Sequence, residues 1–284
     1  MHKQLALYYI SSLLFSMSIP KFGLLTNPSI DILKEITDIY DLGFDYAEIG
    51  IEVPEGNRQV LINYKLQILN LLKKFKVQST IGHTAHWIDL SSEYISVRQA
   101  WLLEAIEEVK VAKELGLTFV NFHSNINGLY IGKRRKTVLD NWICSLQEII
   151  SYARKLNMAV MLENVPSSNG IHKVDEFRYI IDNVPDLKVH LDIPHAFIAG
   201  GMHEILQYIR TFQDKIAHIH WHDNHGKSDE HLPIGDGLIN HRSVVEELKA
   251  INYNKTVTLE VFTNREDAKY SAETLNKLWR EVES

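Results

Sequence analysis

Phe119-Val120-Asn121-Phe122-His123 is a short run of aromatic and β-branched residues that stops at a histidine. Forty residues beyond that histidine the form recurs as Ala159-Val160-Met161-Leu162-Glu163, which stops at a carboxylate. Neither run alternates polar with apolar, as a strand with one wet face would. Both read as parallel strands covered on two sides. The amphipathic stretch 137–156 lies between them, so the unit is strand, loop, helix, strand.

The same unit extends in both directions. Candidate strands are 21–25, 46–50, 77–83, 119–123, 159–163, 188–192, 217–221 and 256–260, separated by helical stretches such as 30–42, 59–75, 96–115, 137–156, 175–184 and 243–251. A first helix start is signalled at Asn27-Pro28-Ser29. Gly43 and Gly116 directly follow Leu42 and Leu115, where a helix C-terminus favours glycine. Eight such units in 284 residues predict an α/β fold, a single-domain (β/α)8 TIM barrel rather than an open doubly wound sheet. No glycine-rich dinucleotide fingerprint and no P-loop is present.

Composition excludes other classes. Hydrophobic residues make up 45% and charged residues 23%, an ordinary globular balance. The net charge of −6 offers no electrostatic attraction for nucleic acid, although a metal site can still receive a phosphodiester. Cys144 is the sole cysteine, which excludes an internal disulfide and a thiolate metal cluster and leaves a cytoplasmic location as the expectation. Its apolar helical neighbours mark it as inert packing. The largely apolar stretch from Leu5 to Ile19 is too short to span a membrane and lacks a small-residue cleavage site. Residues 1–20 read as a dispensable N-terminal extension, with an added helix or a signal as alternatives, and residues 21–284 as the barrel.

Metal-ligand residues close six consecutive strands: His83, His123, Glu163, Asp192 with His195 just beyond, His220, and Glu260. A closed barrel brings all its carboxyl-terminal strand ends to one bowl, so these residues meet there. Imidazole and carboxylate are ligands for zinc, manganese and related divalent ions. His220 is chosen over His218, one layer deeper and barrel-filling, and over His222, which reads as support. In the following loop Asp229 and His231 are two apart, so an extended segment puts both on one face and turns Glu230 away.

Weaker candidates for substrate contact surround this set. Glu48 ends the second strand, and His86 and Trp87 follow His83. Lys133 and Arg134 belong to the basic run 132–136 after the fourth strand, and Arg265 follows the eighth. Trp87 offers a stacking face, and the cations offer partners for a phosphate.

The stretch from His220 to Gly237 and the segment Asp192-Ile193-Pro194-His195-Ala196-Phe197 resemble the xylose isomerase-like barrel superfamily, which includes sugar phosphate isomerases and epimerases and endonuclease IV. The resemblance runs from about Lys21 to the end. It implies that His83, His123, Glu163, Asp192, His195, His220, Asp229, His231 and Glu260 correspond to the nine residues that hold three zinc ions in endonuclease IV. It also implies that Glu163, Asp192, His220 and Glu260 correspond to the set that holds one metal in the epimerases. One to three divalent ions, Zn2+ or Mn2+, are therefore expected.

The two branches imply different chemistry. Three cations suit hydrolysis of a phosphodiester in abasic DNA. One cation suits proton transfer beside a carbonyl, with Glu163 and Glu260 as the acid–base pair acting on a sugar or sugar phosphate. The sequence departs from endonuclease IV where that enzyme carries a Gly-Ala-His-Val-Ser type first strand; this chain has Lys21-Phe22-Gly23-Leu24-Leu25-Thr26-Asn27. The loop 164–170 also differs. These loops favour the isomerase or epimerase, with the zinc phosphodiesterase as the alternative. A non-catalytic barrel would lack the acid–base residues that this chain has.

Overall fold

The computed structural model describes residues 19–78, 80–126, 130–166 and 170–282. The reading of the first 18 residues falls outside them. The chain runs β1 (Lys21–Leu25), α1 (Ile32–Asp41), β2 (Tyr46–Ile51), α2 (Arg58–Asn63), α3 (Lys65–Leu72), β3 (Ile81–Thr84), α4 (Ile95–Glu114), β4 (Phe119–His123) and α5 (Gly132–Lys155). It continues with β5 (Ala159–Glu163), α6 (Val174–Asn183), β6 (Lys188–Asp192), α7 (Ile193–Phe212), β7 (Ile216–Trp221), α8 (His241–Ala250), β8 (Thr256–Leu259) and α9 (Arg265–Glu281). The strands pair in chain order, all parallel, and β8 closes onto β1. This is the eight-stranded α/β TIM barrel expected from the alternation.

Local differences have local causes. β3 begins at Ile81 rather than at Val77, whose N–H donates to the carbonyl of Asp45, in the turn before β2. The stretch 59–75 forms two helices with Tyr64 (φ −98°, ψ 10°) as the non-helical joint. The first helix starts after Asp31, whose side chain accepts from the Lys34 N–H, so Asn27-Pro28-Ser29 precedes it. Gly43 and Gly116 do follow helix C-caps, at φ +86° and +73°, a conformation that glycine adopts without steric cost. Helices α7 and α9 complete units whose helical stretches the sequence pattern did not single out, and α7 is kinked at Gly200-Gly201. Cys144 is exposed on α5, which corrects its reading as buried packing. Among the described residues, no helix is long and apolar enough to cross a membrane.

The main core lies between strands and helices, around Trp142, Tyr208, Phe177 and Trp279. A smaller cluster of Tyr46, Ile81 and Met161 fills the barrel near the strand starts. Side chains two residues apart on a strand share a face. The interior therefore continues upward from Tyr46 to Glu48, from Ile81 to His83 and from Met161 to Glu163. On β6 and β7 it continues from His190 to Asp192 and from His218 to His220. The apolar floor thus gives way to a polar layer and then to the candidate ligands, all at the carboxyl ends where sites of this fold form.

Candidate metal centre

A cavity of about 440 Å³ opens at this end of the barrel. Six of the nine expected ligands line it: His83, His123, His195, Asp229, His231 and Glu260. Glu163, Asp192 and His220 lie directly beneath, fully buried. A larger hollow of about 640 Å³ sits near the strand starts, between Phe22 and Arg280, and holds none of the candidates.

Glu163 is the hub. Its oxygens lie 3.7 Å from His83 Nε2, 3.6 Å from His123 Nε2, 3.6 Å from His195 Nδ1 and 3.9 Å from His220 Nδ1. His220 Nδ1 is also 3.1 Å from Glu260 Oε1 and 3.9 Å from Asp192 Oδ2. Asp192 caps α7, accepting from the backbone N–H of His195 at 2.5 Å, and Asn164 brackets its backbone with two hydrogen bonds. Asp229 sits 3.1 Å from a ring nitrogen of each of His195, His222 and His231. The nine residues therefore converge.

The site is electrostatically polarised. Burial pushes Glu163 up, but the surrounding rings of His123, His190 and His220 hold its carboxyl well below the usual range. Glu260 is likewise pushed up by burial and brought down to about 2 by His220. Asp192 moves the other way, raised to about 8 by burial, with the charge of Glu163 adding and His195 opposing. Burial lowers His123 to about 4, with Glu163 opposing and the neighbouring rings of His83 and His195 adding, which leaves its ring neutral.

Buried polar atoms nearly always find hydrogen-bond partners. Here His83 Nε2, His123 Nδ1, Glu163 Oε1, Asp192 Oδ2 and His220 Nδ1 are buried without one. Groups such as His83–His123–Glu163 and Glu163–Asp192–His220 place one ligand atom per residue within 4.8 Å of one another. Nitrogen and oxygen donors so arranged fit divalent cations, zinc or manganese.

The weaker candidates fare differently. Glu48 is no rim residue: it is fully buried below the cavity, bound to His218 and His220. His222 is also buried off the cavity, against Asp229. Trp87 stands at a separate hollow with Trp101 and Arg58. His86, expected beside it, does line the cavity. Lys133 and Arg134 are exposed at the start of α5 and line no part of the cavity; Arg134 is paired with Glu93. Arg265 is occupied by Glu35 and by Asp38, 2.7 Å away. Asp229 and His231 do share a target, but His231 has φ +51°, so a turned backbone joins them rather than an extended one.

Sequence reasoning missed His190, whose Nδ1 is 3.3 Å from Glu163. Its spacing of two from Asp192 was the available signal. It also missed Asn121, which donates to Glu163, and Glu52 and Phe262 on the cavity wall.

The sequence profile of the xylose isomerase-like TIM barrel family matches residues 36–278, and the chain belongs to that family. An uncharacterized protein of Methanocaldococcus jannaschii is 35% identical over 252 residues, which covers 87% of this chain and 84% of that protein. The crystal structure of a D-tagatose 3-epimerase-like protein superposes with a TM-score of 0.80 at 26% identity, over 92% of this chain and 97% of its own. A probable endonuclease 4 of Thermosipho africanus is 27% identical over 190 residues, 59% of this chain and 65% of that protein. Both branches of the family are thus represented among its relatives.

Proposed function

We propose that this protein is a divalent-metal-dependent isomerase or epimerase of a neutral sugar. The observation that carries the reading is Glu260: an ionised carboxylate on the cavity wall, 3.1 Å from His220. A cation held by Glu163, Asp192, His220 and Glu260 would polarise the carbonyl and hydroxyl oxygens of the sugar. Glu260 takes the proton from the carbon beside the carbonyl and returns it to the neighbouring carbon in isomerisation. Epimerisation needs a second carboxyl group for the opposite face, and Glu163 has that role. His83, His123 and His195 wall the cavity above Glu163, and Phe262 adds an apolar face.

Among the described residues, no lysine or arginine lines the cavity. The segments 127–129 and 167–169 contain none either. A sugar phosphate would leave its charge without a cationic side chain, so an uncharged ketose is the better substrate. The relative titled D-tagatose 3-epimerase-like supports the same class.

A second reading rests on the convergence of all nine residues. Three cations there would suit a zinc phosphodiesterase, acting on abasic-site DNA, as the endonuclease relative suggests. The two readings separate when protein loaded with Zn2+ or Mn2+ is given neutral ketoses, ketose phosphates and an abasic-site duplex in parallel. Turnover of a neutral ketose alone is expected. Strand cleavage alone would replace the first reading with the second.

A further inference from the structure

Three imidazoles meet at Asp229, and all are held in the same way. His195 Nε2 and His231 Nε2 lie 3.1 Å from Asp229 Oδ2, and His222 Nε2 lies 3.1 Å from Oδ1. On the other side of each ring, Nδ1 faces a backbone carbonyl. The carbonyls are those of Asn164 at 2.9 Å for His195, Asp223 at 3.0 Å for His222 and Glu260 at 2.9 Å for His231. A carbonyl can only accept, so each Nδ1 carries a hydrogen. The three Nε2 atoms then converge on one carboxylate, each a donor while its ring is charged and a lone pair once it is neutral. His222 Nε2 is buried there with no hydrogen-bond partner.

A divalent cation between the rings and Asp229 would take the place of the Nε2 hydrogens and meet three lone pairs and the carboxylate. A ligating histidine characteristically donates its other ring N–H to a carbonyl or carboxylate, which fixes the tautomer and aims the ring. The spacing agrees as well. A tetrahedron with metal–ligand bonds of ~2.0–2.1 Å has edges of ~3.3 Å, close to the two contacts at Oδ2, and His222, Asp229 and His231 offer ligand atoms within 4.8 Å of one another. His222 lies outside the nine-residue set of the resemblance and off the cavity, so it approaches from the buried side.

We propose that His195, His222, Asp229 and His231 form a four-ligand, zinc-type site in which His222 closes the coordination sphere, making it a structural clamp beside the reaction centre. Structural zinc sites have four protein ligands, whereas catalytic ones keep a position open. The clamp would tie the loop after β7 to the start of α7 and, through His231, to the end of β8. It stands whichever reaction the neighbouring residues carry out.

The test uses the full chain loaded with Co2+, whose visible absorption is strong in tetrahedral and weak in higher coordination. Glu163→Ala removes the ligand shared by the other cations. One Co2+ per chain is expected to remain, with a tetrahedral spectrum that excess phosphate leaves unchanged. Adding His222→Ala should weaken Co2+ binding ~10-fold or more and make the spectrum respond to phosphate. The proposal is overturned if Glu163→Ala retains no Co2+, if phosphate shifts its spectrum while His222 is present, or if His222→Ala leaves the affinity unchanged. Should the double variant not fold, the phosphate titration of Glu163→Ala alone decides.

Discussion

Glu48 Oε1 accepts a hydrogen bond from His220 Nε2 at 3.2 Å, across 172 residues of chain. The bond places a ring hydrogen on Nε2 and turns Nδ1 toward Glu163, Asp192 and Glu260, where a cation would take its lone pair. The other oxygen of Glu48 pairs with His218 Nε2 at 2.8 Å, and His218 Nδ1 in turn lies 2.8 Å from Thr256 Oγ1. A buried chain of bonds thus aims His220 from below. Glu48→Ala should lower the affinity for the cation beside His220 by ~10–100-fold, with Glu48→Gln in between. Competition against a chelator measures this; an unchanged affinity would deny Glu48 the aiming role.

A second prediction concerns pH. Glu108 on α4 is buried, and burial raises its pKa well above the usual 4.5, with the charge of Glu104 adding to the shift. The folded chain therefore keeps a proton that the unfolded chain releases above that value. Stability from this group is complete below pH ~4.5 and falls as pH rises through the raised folded value. Glu108→Gln removes the slope, so its stability advantage over the wild type should grow with pH. Urea unfolding across pH 5–8 checks it, and a difference constant with pH would contradict it.

The basic and aromatic residues outside the cavity should be dispensable for turnover. Lys133→Ala, Arg134→Ala and Trp87→Ala are expected to leave kcat/KM within about twofold, as surface changes usually cost under ~0.5 kcal/mol. Arg265→Ala should instead cost ~1–3 kcal/mol of stability, because it strips the charged partner from buried Glu35 and leaves it only the Asn27 N–H among its hydrogen-bond donors, with kcat/KM unaffected. Steady-state kinetics with chemical denaturation separates the two effects. A raised KM in Lys133→Ala would restore it as a substrate contact.

The barrel was legible because each unit repeats its own signal: an apolar run, a polar strand end, a helical period. The ligands were legible because one topology rule gathers all strand ends in one bowl. What failed depended on direction rather than on position. Nothing local distinguishes Glu48, which points to the barrel interior, from a rim carboxylate. Lys133, Arg134 and Arg265 follow strands β4 and β8 in sequence, but helix starts and ion pairs turn them outward. His190 went unnoticed because a histidine amid Val189 and Leu191 reads as core until its neighbours across the barrel are known. The joint at Tyr64 lies within a helical period that runs unbroken through it.

The central claim is that Glu260 carries a proton to and from carbon. Metal-loaded wild type, incubated in D2O with a panel of neutral ketoses, should place deuterium on the epimerised carbon or its neighbour, because a proton held on a carboxyl group exchanges with solvent. Glu260→Gln keeps the shape and one ligand oxygen but cannot accept the proton, and should lose ~10²–10⁴-fold in that incorporation while retaining part of the metal. Efficient cleavage of an abasic-site duplex, with no carbon-bound deuterium from any ketose, would contradict the account.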